Sequence, residues 1–153
     1  MRYVSPRSIP KASWALPLAI TWGLGLIGAC SAGDTKESSP CVQIDPDCAP
    51  LYQPTFDEVF ARTLEPTCGA GGSSCHSQQG AQGGLAFAEP DESHAQLLGL
   101  TGSRPRVLVD DPGCSLLLRR LETTGSTQMP PGAPLPAAER CSIALWINAG
   151  AER

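Results

Sequence analysis

Seven cysteines set the terms on which this 153-residue chain can fold: Cys30, Cys41, Cys48, Cys68, Cys75, Cys114 and Cys141. Their meaning depends on where the chain resides, and the N-terminus speaks to that. Arg2, Arg7 and Lys11 make a basic start, and the apolar run "ALPLAITWGLGLIGAC" follows. The run is too short and too glycine-broken for a comfortable membrane span, so it reads as the apolar region of an export signal. An exported chain meets an oxidising compartment, where an even set of cysteines points to disulfides or to covalent attachment of a cofactor. The six cysteines beyond Cys30 form such a set. Sequence proximity groups them as Cys41 with Cys48, Cys68 with Cys75, and Cys114 with Cys141, without establishing the pairing.

The signal ends in Ile27-Gly28-Ala29-Cys30, which resembles a bacterial lipobox. That resemblance implies cleavage before Cys30, acylation of its thiol and a stable membrane anchor. Ser31 after the cysteine points to the outer membrane, with the chain facing the periplasm. Residues 1–29 are then signal peptide, 30–54 a lipid-anchored flexible tether rich in Ser, Pro and Asp, and 55–153 the folded domain. Within the tether Cys41 and Cys48 are expected to close a small local loop. Loss of residues 1–29 leaves 8 basic against 15 acidic residues, a formal charge of −7. Such a balance disfavours nucleic acid and anionic lipid surfaces as partners and leaves room for a basic protein.

The domain reads as all-α. Thr55-x-x-Glu58 is a capping box, and Phe56, Val59, Phe60 and Leu64 share one helical face until Pro66. The Gly/Ser/Gln-rich segment from Gly69 to Gly84 is expected to be loop. A short helix is expected from Glu92 to Leu98. A third opens at Asp111-Pro112 and carries Leu116, Leu117, Leu118 and Leu121. A last helix runs from about Pro136 to Asn148, with Gly150 as its cap. Only "RVLVD", at 106–110, has a strand-like look. Few aromatic residues remain after the signal, and so thin a core calls for staples or a bound cofactor. Cys114 and Cys141, on the third and last helices, are expected to bridge them.

The stretch "CGAGGSSCHSQQG" at 68–80 carries the chemistry. It ends its cysteine pair in Cys75-His76, as the haem-attachment signature C-x-x-C-H does, but position 72 is Gly72, so the spacing from Cys68 is C-x6-C-H. Further on come "GGLAF" at 83–87, "DPGCSLLLRRL", "MPPG" at 129–132 and "AERCSIALWINAGA". In this order the motifs resemble the class I cytochrome c fold, in the divergent form found as single domains of bacterial envelope proteins. The resemblance covers roughly Phe56 to Ala151. It implies a small helical domain with long Gly/Pro-rich loops holding one covalent haem c, with His76 and Met129 as axial ligands and Cys68 and Cys75 as attachment thiols. His/Met ligation raises the reduction potential, and the prolines after Met129 would stiffen the loop presenting its sulfur. The implied function is electron transfer with a redox partner protein, not enzymatic catalysis.

The longer spacing departs from the family pattern. The small residues between the two thiols could bulge outward and leave both free to bond haem, or Cys68 and Cys75 could form a disulfide with His76 an ordinary loop residue. The second case gives the alternative function, a haem-free, disulfide-stapled envelope module with a binding or structural role. His94 reads as a solvent-facing helix residue, and Arg119 and Arg120 as a solvated helix face rather than propionate ligands. No nucleophile–base arrangement or phosphate loop is apparent. A Cys75-His76 nucleophile is geometrically poor, because adjacent residues seldom aim at each other.

Overall fold

The computed structural model describes residues 40–69 and 75–153. The signal sequence, Cys30 and the first part of the tether lie outside the described residues, as do residues 70–74. Helices α1 (Phe56–Val59), α2 (Pro90–Leu98), α3 (Leu116–Glu122) and α4 (Ala137–Asn148) form the domain, and α1 continues directly into a π-helix, Phe60–Cys68. No strand occurs among the described residues, and "RVLVD" is turn and coil. No helix among them is long and apolar enough to cross a membrane.

The first helical segment begins as its sequence demands and ends otherwise. Thr55 accepts the Glu58 amide at 3.4 Å, one half of a capping box. The other half is not made, because the Glu58 carboxylate pairs with Arg62 one turn on, at 2.5 Å. Pro66 does not stop the helix but lies inside the π segment. Proline lacks an amide and its ring crowds the carbonyl below it in an α turn, a crowding the wider π turn relieves. The Gly69 amide then reaches five residues back to the Leu64 carbonyl at 2.8 Å, and also contacts that of Glu65 at 3.1 Å.

The later helices follow their caps. Helix α2 starts two residues earlier than expected, with Pro90 in its first turn, and ends on Gly99 at φ 73°. Asp111 caps a turn ahead of α3 rather than α3 itself: its carboxylate accepts the Cys114 amide at 3.0 Å. Helix α3 proper starts after Ser115, which is fully buried. The Ser115 hydroxyl accepts the Leu108 amide at 2.9 Å and donates to the Asp111 carbonyl at 2.8 Å. Helix α4 fits its sequence reading within a residue. It packs against α1 and α3.

The core is one cluster around Phe56, Leu64, Phe87, Leu97, Leu118, Ile143, Trp146 and Ile147. Phe56 meets Trp146 with ring centroids 5.3 Å apart. His94 corrects the sequence reading: it is 9 % exposed, stands edge-on to Phe56 at 4.9 Å, and bonds through Nε2 to the Ala151 carbonyl at 2.8 Å. The chain end folds back beneath it, where Trp146 Nε1 donates to the Glu152 carbonyl at 2.8 Å. Arg153 then pairs with Asp57 and Asp91.

The expected tether does not apply to its described part. Cys41 is bonded to Cys114 and Cys48 to Cys141, not Cys41 to Cys48 or Cys114 to Cys141. The Val42 amide donates to the Gly113 carbonyl at 3.0 Å beside the first bridge. A Cβ on Gly113 would stand 2.6 Å from the Val42 carbonyl oxygen, so only glycine lets the two strands of backbone meet. Beyond the second bridge the Leu51 and Tyr52 amides donate to the Ser142 hydroxyl at 3.0 and 3.3 Å. Tyr52 is buried in the core. Segment 41–52 is therefore a covalently fastened layer of the domain. Its polar composition concealed this, because hydrogen bonds to α4 and two bridges hold it rather than an apolar stripe.

Candidate functional site

The π-helix delivers Cys68 to the edge of the core, and the chain returns so that His76 follows it closely in space. The His76 amide donates to the Cys68 carbonyl at 3.3 Å, and the Phe87 amide donates to the His76 carbonyl at 2.7 Å. His76 is thus held by the residues before and after the glycine-rich loop. Its ring lies 5.6 Å from that of Phe87, and its Nδ1 is 3.1 Å from the Leu85 carbonyl. A carbonyl can only accept, so this bond places the proton on Nδ1. Nε2 is then the lone-pair nitrogen, the tautomer a metal ligand requires. "GGLAF" therefore has a definable job: Leu85 orients the imidazole and Phe87 backs it.

Gly69 is where this arrangement is tightest. A Cβ there would collide with the Phe87 carbonyl oxygen and stand 3.0 Å from that of Glu65. Gly69→Ala is expected to cost about 1–3 kcal/mol by overpacking, and to displace the Phe87 segment that holds His76. Urea unfolding, together with the His76 ring resonances in a proton–nitrogen correlation spectrum, checks both halves of that expectation.

Cys68 is partly buried against the hydrophobic core cluster. Burial, and then the Glu139 carboxylate, push the Cys68 thiol up to about 11. As a thiol it is therefore protonated at neutral pH and a slow partner in thiolate exchange. Thr63 donates to Glu139 at 3.3 Å and lies 2.6 Å from the Tyr52 hydroxyl. Thr63 has one proton to give, so Tyr52 is the donor of the shorter bond. Burial raises the Tyr52 pKa, with the Thr63 bond opposing. Cys68 and Cys75 take no part in the two described bridges.

Met129 lies on the loop after α3, partly buried against the core cluster. Its amide donates to the Arg120 carbonyl at 2.8 Å, fixing the loop to the end of α3. Gln128, 9 % exposed, spans the loop with its amide nitrogen, donating to the carbonyls of Pro130 at 3.2 Å and Gly132 at 3.1 Å. This clamp, unforeseen in the sequence, adds hydrogen bonds to the stiffness of the prolines.

Two cavities among the described residues border neither His76 nor Met129. One, of about 370 Å³, lies beside α3, and the other, of about 320 Å³, lies between Pro54–Asp57 and the chain end. No group of three or more His, Cys, Asp or Glu side chains converges among the described residues, a count that leaves out a His/Met pair. The chain matches no known family model, no curated protein and no solved structure.

Proposed function

We propose that this chain is a membrane-anchored, monohaem c-type cytochrome that transfers electrons to or from a redox partner protein. The reading rests on one observation above the others: His76 Nδ1 stands 3.1 Å from the Leu85 carbonyl, an arrangement that in the neutral ring leaves the lone pair on Nε2. The types of the neighbouring and candidate residues support the same reading. Cys75 is the neighbour of His76 in sequence, and the Cys68 carbonyl accepts the His76 amide, so both thiol-bearing residues flank one imidazole. Met129 offers a soft thioether on a loop gripped by Gln128. Haem would supply a reversible one-electron iron centre. The chain's own part would be to orient His76 through the Leu85 carbonyl, hold the Met129 loop through Gln128, and offer the Cys68 and Cys75 thiols for attachment. The lipobox-like Cys30 would carry the lipid anchor and keep the carrier at the outer membrane, facing the periplasm.

A pyridine haemochrome spectrum on the full chain, produced with cytochrome c maturation factors, tests this. One covalent haem per chain is expected, and Met129→Ala should abolish the Met–Fe charge-transfer band. The proposal fails if the protein carries no haem and its intact mass corresponds to three disulfides. Two long-range bridges and a packed core favour that second reading, a haem-free stapled envelope module, because they already do part of a cofactor's structural work.

A further inference from the structure

The cavity of about 370 Å³ beside α3 is lined by Arg104, Arg119 and Arg120, together with three threonines and a single carboxylate, Glu122. That carboxylate is already engaged: Arg140 holds it at 2.8 Å from another helix. None of the three cavity arginines has an ion-pair partner among the described residues. Arg120 spends one nitrogen on the Thr127 carbonyl at 3.4 Å. Arg119 is the more telling, since its Nε is buried without any hydrogen-bond partner. A buried guanidinium nitrogen left unpaired is costly, and native proteins rarely leave one so. Three cations gathered around one hollow, in a chain of formal charge −4, are not explained by folding alone.

We propose that this cavity is a binding site for a small oxyanion carrying at least two negative charges, a phosphate ester or a dicarboxylate. Guanidinium groups present planar forks of N–H donors that match both anions. Thr123, Thr124 and Thr127 add hydroxyl donors at the rim, and Val42 and Leu116 give apolar wall for the body of the molecule. The volume suits a small molecule. Segment 40–42 forms part of the wall and is fastened there by the Cys41–Cys114 bridge, so the disulfide completes the site. The cavity contains neither His76 nor Met129, and the inference stands apart from the haem proposal.

The test is calorimetric titration of the full chain as isolated, disulfides intact, with inorganic phosphate and separately with succinate at low ionic strength. Saturable 1:1 binding of at least one is expected, and the stronger of the two names the anion class. Arg119→Gln should weaken it about tenfold, the loss of one charge-assisted fork. Arg104→Gln, in a loop outside the helices, should weaken it too, and serves if Arg119→Gln unfolds. Arg62→Gln, far along the chain and paired with Glu58, should leave it unchanged. Absence of saturable heat with either anion overturns the proposal, as does equal weakening by Arg62→Gln.

Discussion

Cys48→Ser combined with Cys141→Ser is expected to lower the free energy of unfolding by about 4 kcal/mol or more, since the bridge spans 93 residues and the entropy of loop closure grows with loop length. Small domains keep only about 5–15 kcal/mol in total, so this single change should bring the domain near its limit at 37 °C. The Cys41→Ser, Cys114→Ser pair, spanning 73 residues, should cost a similar amount. Urea denaturation followed by far-UV circular dichroism measures both. A loss below about 1 kcal/mol would contradict the entropic account for this chain. The pairing itself is read from an unreduced peptide map. Trypsin cannot separate Cys41 from Cys48, because no Lys or Arg lies between them, whereas cleavage before Asp45 and Asp47 does. Peptides joining Cys41 to Cys114 and Cys48 to Cys141 are expected, and a fragment closed between Cys41 and Cys48 would refute the architecture.

The bridges also explain what the sequence hid. Helical periodicity made the first and last helices legible, because Phe56, Val59 and Leu64 in one, and Ile143, Trp146 and Ile147 in the other, are buried as their spacing implies. Proximity misled the cysteine pairing, since two residues seven apart in a line need not be neighbours once a polar segment lies across α4. No composition rule reveals that Ser142, in the middle of that helix, accepts the amides of Leu51 and Tyr52. His94 was hidden for a similar reason. Its neighbours Glu92 and Asp91 are polar, and its burial is set by the chain end arriving from 57 residues away.

The candidate site divides in the same manner. The residue types at Cys75-His76 and Met129 were visible as a pattern, whereas the groups that prepare them were not. Leu85 acts through its carbonyl, Gln128 through an amide reaching into a loop, and Glu139 through its field on Cys68. Backbone acceptors carry no sequence signature. The arginine cavity is the extreme case, because Arg104 and the Arg119–Arg120 pair look like separate solvated charges until the fold, with segment 40–42, closes around them.

Trp146→Ala should cost about 3–5 kcal/mol, the largest effect expected of any single core substitution here. The side chain is 2 % exposed and joins three parts of the domain. It meets Phe56 of α1 at 5.3 Å, lies 6.2 Å from the His94 ring of α2, and donates its indole N–H to the Glu152 carbonyl. Truncation opens a cavity among rigid neighbours and also releases the chain end. Trp146→Phe separates those contributions, because it keeps most of the ring volume but has no N–H. It is expected to cost about 1–2 kcal/mol, the lost hydrogen bond plus a smaller void. Urea unfolding gives both values, and amide exchange at Ala151 to Arg153 should quicken in both variants before global stability is lost. If Trp146→Phe proved as costly as Trp146→Ala, the N–H bond to Glu152 rather than the aromatic packing would be what fastens the chain end, and the Phe56–His94–Trp146 cluster would be no more than filling.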